Sequence, residues 1–183
     1  MLKIILSRQL GHFERTWSCD AGYLRRLLAA SPVSVLKFGL VSGLAPRDAA
    51  PPAALAAVEI VATLSEDCGP CVQLVVDMAA AAGVAPEELR AILNGDQDAM
   101  GSEAAIAWRF ARATLDRDLS AADRLRDEIL SRWGERGLAA LALALTTARL
   151  YPTLKYALGH GGTCARVVVD GQPMVPAQNG SVP

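Results

Sequence analysis

The stretch that decides the fold spans residues 53–71 and reads AALAAVEIVATLSEDCGPC. Up to Leu64 it is rich in alanine and leucine, and Glu59 is its one acidic residue. Alanine and leucine favour helices, whereas strands are enriched in β-branched and aromatic residues. The composition therefore predicts a helix over 53–64, a break at residues 65–67, and a second apolar helix that opens at the two cysteines and runs through Ala82.

The rest of the chain is also predicted to be helical. Apolar residues recur at helical spacing and are separated by Gly, Pro and Ser signals over 9–19, 21–30, 33–44, 86–94, 102–115, 121–132 and 134–150. Ser120 is expected to cap the helix over 121–132. Only residues 166–171 indicate extended structure, as a short C-terminal β-hairpin or edge strand. We expect one all-α domain over 1–177, best supported over 51–159, and a disordered tail over 178–183.

Composition narrows the class of protein. The 18 Lys and Arg residues and 19 Asp and Glu residues give a net charge of -1, which predicts neither a nucleic acid nor a membrane partner. The apolar N-terminal run ends at Arg8, unlike a secretion signal, and 137–148 falls short of the roughly 20 residues of a membrane span. We therefore expect a cytoplasmic protein, where cysteines are seldom structural disulfides. The apolar share of 52% suggests buried surface between subunits.

The chemistry of the chain is expected at Cys68-Gly69-Pro70-Cys71. Two cysteines at this spacing can form a disulfide, and a helix N-terminus stabilises a thiolate on the first. Cys68 is then the nucleophile or the exposed partner, and Cys71 resolves the mixed disulfide. Gly-Pro also occurs between the thioredoxin cysteines, but that fold needs a strand before the motif, and this approach is helical.

Two other interpretations of the cysteine pair remain open. A structural zinc ion needs about four ligands, and the motif supplies two. The remaining candidates, with no second close pair among them, are Cys19, Cys164, His12 and His160. Alternatively, the two cysteines are small side chains without a function.

A CxxC motif between two apolar helices, the first bearing a glutamate, resembles the AhpD-like or carboxymuconolactone decarboxylase superfamily. Residues 102–111 (SEAAIAWRFA) are similar to the helix that follows its motif, and 125–156 to its final helix pair. The resemblance covers 51–159. It implies an all-helical homo-oligomer (dimer, trimer or hexamer), without metal or organic cofactor. In the peroxidase branch the cysteines act on a hydroperoxide or disulfide substrate and take electrons from a dithiol donor protein.

The chain departs from that family at its proton relay. The family histidine, four residues after the second cysteine, is Val75 here, and the glutamate twelve residues before the first is Ala56. Glu59 lies about one turn later on the same helix and is the best substitute. Glu66 or Asp67, immediately before Cys68, could also handle the proton, although a carboxylate there raises the pKa of a neighbouring thiol. A glycine turn could bring His160 to the thiolate, and a surface histidine without function is the other interpretation.

The leading function is therefore a thiol-dependent oxidoreductase, an alkylhydroperoxidase or disulfide reductase, that uses Cys68 and Cys71. One alternative is a catalytically silent member of the same scaffold that serves as an oligomeric binding or regulatory protein. Another is a cofactor-free enzyme similar to lactone decarboxylases, which would not need the cysteines.

Overall fold

The structure is a computed structural model and describes residues 1–161 and 167–177, apart from the side chain of Ser42. It confirms the all-α class and the C-terminal hairpin. Cys164, Arg166 and the tail 178–183 lie outside the described residues. The helices are α1 Leu2–Trp17, α2 Gly22–Ala30, α3 Pro32–Gly39, a 3-10 turn Leu40–Gly43, α4 Pro52–Ser65, α5 Gly69–Ala81, α6 Pro86–Asn94, α7 Ser102–Leu115 and α8 Leu119–Ala157.

Helix α4 is the centre of the main core. It packs against α7, α8 and α5, and nine of its fourteen residues are buried. A helix that is apolar nearly all round is stable only when neighbours cover it on most sides. Ala54, Ala57 and Ala62 are fully buried, and small side chains such as these allow neighbouring helices to approach closely. This packing holds the end of α4, and with it the loop that leads to Cys68.

Helix α8 joins two predicted helices into one long element. It is interrupted at Gly134, whose φ of 65° is left-handed, and it continues past Pro152 to Ala157. The cap predicted at Ser120 is wrong, because the side chain of Asp118 accepts the N–H of Ala121 and α8 starts at Leu119. Among the described helices only α8 is long and apolar enough to cross a membrane, a criterion that core helices of soluble proteins also meet.

Residues 1–44 contain a second, smaller cluster of buried apolar side chains and are called the N-terminal unit below. It contains α1, α2, α3 and the 3-10 turn, and the cluster consists of Leu6, Leu10, Leu28 and Val35. Helix α1 starts seven residues earlier than predicted, because Leu6 is buried together with Leu10 of the same helix.

The hairpin is attached to α5, the helix that begins at the cysteines. Strand β1 Val167–Val169 pairs antiparallel with β2 Gln172–Met174. The side chain of Gln73 accepts the N–H of Val168 (2.6 Å) and donates to its carbonyl oxygen (3.1 Å). The side-chain amide of Gln73 thus takes the place of a neighbouring strand, and it holds β1 beside α5 two residues after Cys71.

A candidate redox site at the start of helix α5

The two motif cysteines lie at bonding distance in the structure. Their Cα atoms are 5.2 Å apart, within the range that a disulfide spans. Cys68 is the N-cap of α5, and the N–H groups of Cys71 and Val72 both donate to its carbonyl oxygen. Because Pro70 has no N–H and these amides are engaged, the helix dipole is the main feature of α5 that would stabilise a thiolate here.

The two cysteines differ in exposure. Cys68 is 2% exposed, whereas Cys71 is half-buried. The sequence predicts Cys68 as the nucleophile or the exposed partner. Of the two residues it is Cys71 that solvent reaches, so the exposed partner is not Cys68. An incoming thiol or substrate therefore has better access to Cys71.

The two residues before Cys68 are held by the last part of α8. Nε of Arg149 donates to Oε1 of Glu66 at 2.6 Å, and the hydroxyl of Tyr156 donates to the carbonyl oxygen of Asp67 at 2.6 Å. Asp67 has a left-handed φ of 52°, a conformation that aspartate tolerates better than most residues. Helix α8 thus fixes the turn that positions Cys68.

Tyr156 keeps its proton over the neutral pH range. Partial burial, together with the negative charges of Asp67 and Glu66, raises the pKa of this phenol. Its hydroxyl therefore remains a hydrogen-bond donor to the turn at any pH where the protein would work.

Removing the cation beside Glu66 should make the reduced cysteines less reactive. In Arg149→Met the carboxylate of Glu66 loses its partner, and an uncompensated negative charge disfavours a nearby thiolate. We expect the rate of alkylation at neutral pH to fall by up to about tenfold, equivalent to one pKa unit. The pH dependence of alkylation of the reduced protein measures this.

Two variants control that experiment. Arg132→Met removes another arginine of α8 that pairs with a glutamate, Glu128, in the first half of the helix, and should leave the rate unchanged. Adding Glu66→Gln to Arg149→Met should restore the rate. An unaltered rate in Arg149→Met would show that the Glu66 charge does not reach the thiols.

Glu59, the predicted proton relay, is engaged elsewhere. Both of its carboxylate oxygens accept hydrogen bonds from Arg47, at 2.7 and 3.0 Å, and this bond raises the pKa of the arginine. Its backbone carbonyl accepts the hydroxyl of Thr63. Neither partner belongs to the cysteine motif. A relay role would require this ion pair to open.

His160, which follows α8, packs beside the first residue of α2. Its backbone N–H donates to the carbonyl oxygen of Lys155, and two of its ring atoms stand 3.2 and 3.3 Å from where a side chain at Gly22 would begin. No described contact joins it to either motif cysteine. His12, on α1, is exposed. Neither histidine is brought to the disulfide.

The positions of the family relay are occupied by packed apolar residues. Ala56 is buried in the main core, and Val75 is half-buried against the same core. The part of the chain that the structure describes contains no group of three or more His, Cys, Asp or Glu that could hold a metal. Cys19 is a half-buried free thiol, and burial is the main cause that raises its pKa.

The arrangement has two residues that the sequence did not single out, Arg149 and Tyr156, because they lie far along the chain from the motif they contact. Comparison with known proteins adds no relative: no family model, no curated protein and no solved structure matches this chain. What the chain does has to be inferred from the chemistry of its own residues.

Proposed function

We propose that this chain is a cytosolic, thiol-dependent oxidoreductase with an AhpD-like helical scaffold, and that it acts as a homo-oligomer. The supporting observation is the Cys68–Cys71 pair, held at bonding distance at the start of α5 with Cys71 partly exposed. A pair that is close enough to bond, and open on one side, has what thiol–disulfide exchange requires. No metal or organic cofactor is part of the proposal.

The cycle runs through Cys71. A thiolate of the dithiol donor attacks Sγ of Cys71, the bond between the two protein sulfurs breaks, and Cys68 leaves as a thiolate that takes up a proton. The second donor thiolate then attacks the donor sulfur of the mixed disulfide, and Cys71 is released. The donor leaves oxidised by two electrons, and the protein is reduced by two. With a disulfide substrate the same steps run in reverse order.

Disulfide exchange suits the site better than hydroperoxide reduction. Exchange expels a thiolate, which is a good leaving group without help. Cleavage of a hydroperoxide expels an alkoxide, which needs a proton donor. The family relay positions are apolar here, and Glu59 is bound to Arg47. We therefore propose a disulfide substrate first and a hydroperoxide second.

The test is to count thiols and follow turnover in one background. Cys19→Ala/Cys164→Ala leaves only the motif cysteines. Intact mass after alkylation should show no adduct in the oxidised protein and two in the reduced one, reversibly across a glutathione series. Dithiothreitol-driven turnover of a small disulfide should exceed that of cumene hydroperoxide. Two thiols that stay alkylatable after mild oxidation would refute the proposal.

The same experiment also tests the second candidate function. The apolar relay positions, Val75 and Ala56, also favour a catalytically silent oligomeric binding or regulatory protein. Such a protein would give cysteines that do not cycle, or a disulfide that forms but supports no turnover with either substrate.

A further inference from the structure

Charge is distributed unevenly between the N-terminal unit and the rest of the chain. Residues 1–44 contain six Lys and Arg and only two Asp and Glu, a net charge of +4. Residues 45–183 contain twelve Lys and Arg and seventeen Asp and Glu, a net charge of -5. The value of -1 for the whole chain therefore hides a cationic unit beside an anionic body.

The cations of this unit are more available than its two acids. Glu14 is bound by Arg25, and Asp20 accepts the backbone N–H of Gly22 at 2.7 Å. The side chains of Lys3, Arg8 and Lys37 are exposed and form no hydrogen bond or ion pair within the described part of the chain. The outward field of the unit is therefore positive.

The same unit exposes most of the large apolar side chains that reach solvent. It is about a quarter of the chain, yet it carries more than half of the exposed large hydrophobic residues among those described. The members used below are Leu2, Ile4, Ile5, Leu36, Leu40 and Leu44. Leu36 lies in α3, Leu40 is the first residue of the 3-10 turn, and Leu44 directly follows that turn. Leu40 is 67% exposed.

We propose that the N-terminal unit binds an anionic lipid surface. Exposed leucines and isoleucines next to lysine and arginine, with the acids engaged internally, match what such a surface offers: negative headgroups above an apolar layer. In this proposal the side chains at the start of α1, in α3 and in the 3-10 turn enter the boundary between headgroups and acyl chains, and Lys3, Arg8 and Lys37 lie over the headgroups. This binding does not depend on the thiol chemistry.

A second copy of the chain fits this surface less well. A symmetric contact would place the two cationic units against each other, which is unfavourable. The acid-rich segment 87–103 of another copy would match the charge, but no described residue from 79 to 118 is an exposed large hydrophobic. Neither arrangement satisfies the charge and the apolar side chains together. Assembly through other faces is compatible with lipid binding.

The test is co-sedimentation of the full chain with vesicles of phosphatidylcholine, with and without phosphatidylserine. We expect binding only with phosphatidylserine, and weaker binding as salt is raised. Lys3→Gln/Lys37→Gln should weaken it by about 25-fold, roughly fivefold per charge. Leu40→Gln/Leu44→Gln should weaken it by at least about tenfold.

Matched controls lie on the body of the protein. Leu119→Gln alters a leucine that is 71% exposed, and Arg124→Gln removes an exposed arginine of α8. Both should bind vesicles like the wild type, and all variants should unfold at the wild-type temperature. Equal binding to neutral vesicles, no binding to anionic ones, or equal losses in the body controls would overturn the proposal. So would a dimer that Leu40→Gln/Leu44→Gln dissociates, without any vesicle binding.

Discussion

Replacing Cys68 by serine should leave a protein that still forms a mixed disulfide with an aromatic disulfide reagent but no longer turns over. Replacing Cys71 by serine should remove both abilities. The reason is access: Cys68 is almost completely buried, and Cys71 is the partner that solvent reaches. Without Cys68 no thiol is present to resolve the adduct on Cys71, so the adduct accumulates. Intact mass after a short incubation measures it in the Cys19→Ala/Cys164→Ala background.

A difference in stability does not account for the expected difference in adduct formation between the two variants. Both variants lose the same cross-link, which closes a loop of four residues and is worth about 2 kcal/mol by chain entropy. Because position 68 is buried, Cys68→Ser should be the less stable of the two, and both variants are therefore assayed below their unfolding temperatures. An adduct that accumulates in Cys71→Ser and not in Cys68→Ser would show that Cys68 attacks first, as the motif alone predicts. The exposure argument would then be wrong.

The parts of the fold that were predictable are those with local causes. The alanine-rich run of α4 and the proline and glycine signals around α5 and α6 depend on residues close in sequence, and the structure confirms these helices. The start of α1 was not predictable in the same way. Leu6 belongs to the same buried cluster as Val35 of α3, and the residues near Leu6 in sequence do not indicate that packing.

In the candidate site, too, the residues that are close in sequence were predictable and those that are distant were not. The cysteine pair is visible because its two members are three positions apart. Arg149 and Tyr156 are 83 and 89 positions from the residues they contact, so only the tertiary fold shows that α8 fixes the turn before Cys68. The only local sign of this role is that Arg149 follows an apolar helix segment. Many arginines that are simply solvated occur in the same sequence context.

Glu59 shows why a lone charge in an apolar helix is ambiguous. Such a carboxylate needs either solvent or a partner. The sequence leaves open an exposed position and a place in the redox site. The structure shows a third solution, an ion pair with Arg47 from the segment before α4, which leaves the side chain only 12% exposed. Arg47 lies twelve residues away in a connector whose path the sequence does not determine.

Replacing Ile60 by alanine should be among the most destabilising single changes in the chain. Ile60 lies in the middle of α4, has no solvent exposure, and packs in the core that α4 shares with α7 and α8. Truncation removes buried methyl and methylene groups and leaves a cavity that closely packed neighbours cannot fill, at a cost of about 2–5 kcal/mol. Urea unfolding followed by far-ultraviolet circular dichroism gives the free energy of unfolding.

The matched control is Ile4→Ala, the same substitution in α1. Ile4 is 60% exposed, so its truncation should change the free energy of unfolding by less than about 0.5 kcal/mol. The same variant should bind anionic vesicles more weakly, because Ile4 belongs to the proposed lipid-binding surface. Ile60→Ala, studied below its unfolding temperature, should bind them normally. Equal stability losses in the two variants would contradict the assignment of α4 to the core, and of the start of α1 to solvent.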